Sequence, residues 1–130
     1  MSSGSIGDES YVSLTTYRRS GEGVATPVWC APLADGRVGV WTNATSWKVK
    51  RLAQDPRVTL RPCDRRGRVA DGAPTYAGQA QVLRSGGLFE EVLGRVRSAY
   101  GVLGWAAMTL RPTRRHDAAL VITLDQANSA

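Results

Sequence analysis

Asp35 and Gly36 stand between a β-rich run and a run of alternating side chains, and an Asp-Gly pair so placed is a strong short-range signal for a tight antiparallel hairpin. That commits the chain to β structure, and its neighbours extend the commitment. Tyr11–Tyr17 alternates Val12, Leu14 and Thr16 with Ser13 and Thr15, the period of a half-buried strand. Arg18–Gly23 reads as the turn that follows. Val24–Leu33 is rich in β-formers but holds Pro27 and Pro32. Proline cannot donate to a ladder, so this run is expected at an edge, or bulged where a ligand approaches. Beyond Asp35-Gly36, Val38, Val40 and Thr42 alternate with Gly39 and Trp41 in Arg37–Asn43. Two hairpins in succession make a meander.

The period then changes. Val49, Leu52 and Ala53 fall at i, i+3 and i+4, Thr45 or Ser46 supplies an N-cap, and Asp55-Pro56 is a stop, so Ser46–Gln54 reads as a short helix. Arg57–Asp64 returns to strand, Arg65–Gly67 closes it, and Arg68–Pro74 is loop. Tyr76–Arg84 is a fifth strand. Gly87–Tyr100 is a second helix, with Leu88, Val92, Leu93, Val96 and Tyr100 on one stripe. Leu103–Met108 fits a further helical turn. Ala118–Leu124 is apolar almost throughout and reads as a strand buried on both faces. Six short strands with two helical inserts predict a mainly β fold, a small antiparallel barrel.

A chain of 130 residues holds one domain of this kind. We place it at 11–130, after a polar leader, 1–10. The leader has neither a basic start nor an apolar core, which argues against a secretory signal and for the cytoplasm. The longest apolar stretch, Val102–Met108, falls far short of the ~20 residues of a membrane span. Cys30 and Cys63 are too few for a disulfide framework or zinc site and are expected as thiols.

Lys and Arg together number 17 against 11 Asp and Glu, a net charge of +6, which implies an anionic partner: nucleic acid, a membrane surface or a phosphorylated small molecule. All the basic residues are arginine except Lys48 and Lys50. Both fall in the first turns of the Ser46–Gln54 helix, where the positive end of the helix dipole disfavours cations. A bound phosphate would compensate, collecting free backbone N–H groups, the Ser46 hydroxyl and two ammonium groups at one point. The other reading is a solvated basic face paired with Asp55. Trp29, Trp41 and Trp47 lie close in sequence to Pro27, Thr42 and Lys48. They would wall a planar ring system carrying a phosphate tail, or fill a barrel core.

The sole histidine, His116, sits in the run Arg114-Arg115-His116, which reads as an exposed turn. No zinc-protease, dinucleotide or P-loop motif occurs, so hydrolytic and metal-dependent chemistry are disfavoured, and no metal ligands are assigned. An enzyme of this composition would leave the reaction to a bound cofactor.

In order along the chain, Leu14-Thr15-Thr16-Tyr17-Arg18, Ala25-Thr26-Pro27-Val28-Trp29, Trp41-Thr42, Ser46-Trp47-Lys48-Val49-Lys50-Arg51-Leu52 and Asp55-Pro56-Arg57-Val58-Thr59-Leu60, with Pro62-Cys63-Asp64 and Gly67, resemble the flavin and deazaflavin split-barrel oxidoreductases. This superfamily includes the pyridoxamine 5'-phosphate oxidases, and the likeness is greatest to its F420-dependent group. It is specific from about Tyr11 to Gly67 and rests on general layout beyond. The resemblance implies a six-stranded split β-barrel, a homodimer with cofactor at the subunit interface, and hydride transfer between coenzyme F420 and an organic acceptor, with FMN as the alternative cofactor. By the same resemblance, Lys48 with Lys50 or Arg51 holds the phosphate, and Thr42 and Ser46 add hydroxyl contacts. Thr26, Pro27, Val28 and Trp29 border the ring, with Trp41 nearby. No residues match the substrate-phosphate Arg and His of the flavin oxidases, which disfavours a pyridoxamine phosphate substrate. Arg111, Arg114 and Arg115 would either reach a partner's cofactor or stay solvated. A non-catalytic F420 carrier and a small barrel binding nucleic acid are the readings from another class.

Overall fold

A computed structural model of the chain describes residues 11–64, 66–102, 106 and 117–125. The elements run β1 (Val12–Tyr17), β2 (Gly23–Pro32), β3 (Val38–Asn43), α1 (Trp47–Gln54), β4 (Arg57–Pro62), β5 (Tyr76–Leu83), α2 (Gly87–Ala99) and β6 (Asp117–Leu124). The six strands close into one antiparallel barrel in the order β1-β2-β3-β6-β5-β4, with β4 returning to β1. This is the mainly β antiparallel barrel that the strand pattern predicts, with the six strands of the split barrel that the resemblance implies. The leader 1–10, Arg111, Arg114, Arg115 and His116 lie outside the described residues, as does the turn over 103–108 apart from Ala106.

Closure changes the status of β2. It is not an edge strand over its whole length: Gly23–Val28 pairs with β1, and Trp29–Pro32 pairs with β3. The strand changes partner at Val28–Trp29. The expected edge survives only in its first half, where Pro27 faces Ser13 of β1 and β3 supplies no registered partner. A proline costs no ladder bond on that open side.

Two cores result from the alternation of side chains. Leu14 opposite Leu60, Val40 opposite Leu120 and Val38 opposite Ile122 fill the barrel interior, and Leu52 of α1 enters the same cluster. Outside the barrel, Ala119 and Val121 of β6 meet Phe89, Val92, Leu93 and Val96 of α2. Gly39 permits that approach, because a Cβ there would stand 3.0 Å from Val92 and 3.1 Å from Leu33. Asp117 to Ile122 are all buried, so β6 is covered on both faces as its composition predicts. The covering element on the outer face is α2 of the same chain.

Smaller differences have local causes. β4 stops at Pro62, and Asp64 turns back to accept N–H bonds from Arg66 and Arg68, each at 2.9 Å. Cys30 and Cys63 are both free thiols, Cys30 within the barrel. No helix among the described residues is long and apolar enough to cross a membrane.

Candidate functional site

The site is organised by the entry into α1. At the end of β3, the Asn43 carboxamide oxygen accepts from the Thr45 backbone N–H at 2.8 Å and the Thr45 hydroxyl at 2.6 Å. Ser46 then takes the N-cap position with extended backbone, but its side chain makes no capping bond. Its Oγ is buried without a partner, and no acidic residue stands in the first turn. Among the described residues, neither a cap side chain nor a first-turn acid compensates the positive end of this helix.

Lys48 and Lys50 do not converge. Two residues apart on a helix are about 200° apart around its axis, so their side chains leave on different faces. Lys48 lines a small cleft of about 260 Å³ with Tyr11, Pro27, Val28, Trp29, Trp41 and Thr42. Lys50 lines a larger cleft of about 680 Å³ with Trp47, Arg51 and Gln54, the i, i+3, i+4, i+7 face of α1, opposite Thr26, Val24, Tyr17, Arg18 and Arg19. Of the residues singled out from sequence, Pro27, Val28, Trp29, Trp41, Thr42 and Lys48 come together in the first cleft. Thr26, Lys50 and Arg51 come together in the second. Ser46 lines neither.

The tryptophans divide likewise. Trp29 stacks on Tyr100, centroids 4.2 Å apart and planes 11° from parallel, and Trp41 lies 5.8 Å from Trp29. Trp41 also donates its indole N–H to the buried Asp117 carboxylate at 3.2 Å. The Tyr100 hydroxyl accepts from the Cys30 N–H at 3.1 Å, and burial pushes its phenol well up. Trp29 and Trp41 are therefore half-buried and held by fixed partners, with the remaining surface open to the cleft. Trp47 is 71% exposed, on the other side of α1.

The cations between the clefts disfavour one another. Burial first, then the Arg51 charge, pushes the Lys48 ammonium below its ordinary value, and Arg51 is pushed down by burial and then by Arg18. Arg51 donates Nε–H to the Thr16 hydroxyl at 2.6 Å, while Lys50 sits 4.4 Å over the Trp47 ring. Asp55, the acid a solvated basic face would use, is taken by Arg57 at 2.7 Å. Among the described residues, none of Lys48, Lys50 and Arg51 forms an ion pair. The Thr26 hydroxyl is a further buried polar group with no partner.

This sets a pH dependence. A lysine pushed down by its surroundings weakens the folded state at lower pH, and the penalty is relieved as pH rises from its lowered value towards 10.5. A bound anion favours the charged form, so anion affinity should fall on alkaline titration through that window, and Lys48→Met should flatten the fall. Binding isotherms at several pH values check this; an identical slope in the variant excludes Lys48.

Sequence reasoning missed Tyr11, Tyr17, Arg18, Arg19, Gln54 and Asp117. Arg18 and Arg19 were visible as a basic pair at a turn, and Gln54 as the i+7 position from Trp47. Nothing local announces that β3–β6 register brings Asp117 to Trp41, 76 residues away.

Residues 5–129 match the family described as pyridoxamine 5'-phosphate oxidase. Solved structures share the fold at low identity. A conserved hypothetical protein from Mycobacterium tuberculosis is 20% identical with a TM-score of 0.66, the match covering 92% of this chain and 76% of that one. HutZ, the heme storage protein from Vibrio cholerae, is 12% identical with a TM-score of 0.69, over 94% and 86%. A structure named F420 reductase is 13% identical with a TM-score of 0.59, over 93% and 91%. No curated protein sequence matches the chain.

Proposed function

The chain belongs to the pyridoxamine 5'-phosphate oxidase family, and from that membership we propose that it binds coenzyme F420 and acts as an F420H2-dependent reductase. The observation that carries this reading is Lys48, a half-buried cation without a carboxylate partner among the described residues, in a cleft shared with Thr42 and two fixed indoles. A phosphate suits the cation and the Thr42 hydroxyl, and a planar ring suits the surface along Pro27, Val28, Trp29 and Trp41. The uncapped start of α1 favours the same negative charge. When bound, F420 supplies hydride chemistry at C5 of its ring, suited to electron-poor double bonds. The work of the chain is to neutralise the phosphate, orient the ring on rigid strands and exclude water.

At about 260 Å³ the cleft lies below the ~300–1,000 Å³ usual for pockets that enclose a ligand. A second copy completing it is part of the proposal, and the protein acts as a homodimer in the cytoplasm. FMN, with its own ring and phosphate, is the alternative cofactor. Nucleic acid fits less well, because Trp29 and Trp41 spend much of their surface on Tyr100 and on each other, leaving no run of stacking platforms.

Titration of the purified protein with F420, FMN, hemin and a single-stranded oligonucleotide, followed by tryptophan emission, tests the reading. Micromolar quenching by F420 is expected. Tight binding of any of the others with no response to F420 overturns it, and F420 binding without oxidation of F420H2 by any acceptor leaves a carrier.

A further inference from the structure

We propose that the larger cleft is a second ligand site, separate from the Lys48 cleft, and that its ligand is a planar aromatic anion. Its volume of about 680 Å³ lies in the range of pockets that hold small organic molecules. Its walls are aromatic: Trp47 is the most exposed aromatic side chain among the described residues, and Tyr17 stands in the opposite wall.

The charges around it are of one sign. Arg18, Arg19, Lys50 and Arg51 line the cleft, and no Asp or Glu among the described residues does. Arg18 alone has an acidic partner, Glu22 at 2.9 Å, both largely exposed. Arg19 donates to the neutral Gln54 amide at 3.3 Å, Lys50 rests on the Trp47 face, and Arg51 donates to Thr16. Arg19, Lys50 and Arg51 are therefore held by neutral groups and keep their charges available to a ligand. The buried, partnerless Thr26 hydroxyl lies in the same wall. Aromatic faces with four cations select a flat ring bearing a carboxylate, sulfonate or phosphate over a neutral ring or a non-aromatic anion.

This inference does not depend on the cofactor reading, which concerns the opposite face of α1. The test uses 8-anilinonaphthalene-1-sulfonate as the aromatic anion and N-phenyl-1-naphthylamine as its uncharged counterpart, both followed by dye emission on the full chain. Saturable binding of the sulfonate is expected, with the neutral dye about tenfold weaker or worse. Trp47→Ala and the double variant Arg19→Gln, Lys50→Gln, all at exposed positions, should each weaken the sulfonate by about fivefold or more while far-UV circular dichroism stays unchanged. Saturating F420 should leave sulfonate binding intact. Failure of the sulfonate to saturate, equal affinity for the neutral dye, indifference to both variants, or displacement by F420 each overturns the proposal. So does sedimentation showing that Trp47→Ala turns a dimer into a monomer with sulfonate binding unchanged, which would make this face a subunit contact.

Discussion

Lys48→Ala should lower affinity for F420 by about ten- to a hundredfold, the ~1–3 kcal/mol of a hydrogen bond to a charged group, while the barrel stays folded. The two halves of that expectation have one cause. Lys48 is held partly out of water and feels the Arg51 charge, so the free protein gains nothing from its ammonium, whereas an anion in the Lys48 cleft offsets that cost. Lys50→Ala should change F420 affinity far less, because its side chain leaves α1 on the other face. Fluorescence titration of the two variants side by side separates a specific contact from general loss of positive charge. Equal losses would point to the net charge of the chain and away from Lys48.

Leu60→Ala should be strongly destabilising. Leu60 has no exposure, stands opposite Leu14 across the β1–β4 pair, and lies in the barrel cluster with Leu120 and Leu52. That pairing closes the barrel, so a cavity there loosens the seam as well as the packing. Leu-to-Ala changes in such cores cost about 2–5 kcal/mol, against a total stability of about 5–15 kcal/mol for a domain. The melting midpoint should fall by roughly 10 °C or more. Gln81→Ala, at an exposed position on β5, should stay within about 0.5 kcal/mol. Urea denaturation with a common slope is the check, and a loss below about 1 kcal/mol at Leu60 would contradict the packing described here.

Much of this architecture is local chemistry and could be read from residues. Asp35-Gly36, the alternation in Val38–Asn43 and the i, i+3, i+4 spacing after Ser46 each act within a few positions, and each produced the expected element. Pro27 was harder, because whether a proline strand is an edge depends on which strands register beside it, and β2 changes partner partway along. The cover on β6 shows the same limit: apolar composition says that a face is covered, not which element covers it. At the site, residue types were legible but directions were not. Lys48 and Lys50 looked like one anion cradle because they are close in sequence. Helical geometry sends them to two clefts, and attention to the 100° step per residue would have found this. Arg18 and Arg19 join Lys50 only through the β1–β2 hairpin.

The central claim is that the Lys48 cleft takes the phosphate and ring of F420. A crystal structure of the chain with bound F420 tests it most directly. The phosphate should lie within hydrogen-bond distance of the Lys48 ammonium, with the ring along Pro27, Val28 and Trp29 and a second copy closing the open side. F420 lodged instead against Trp47 and Lys50, or phosphate contacts that leave Lys48 out, would contradict it.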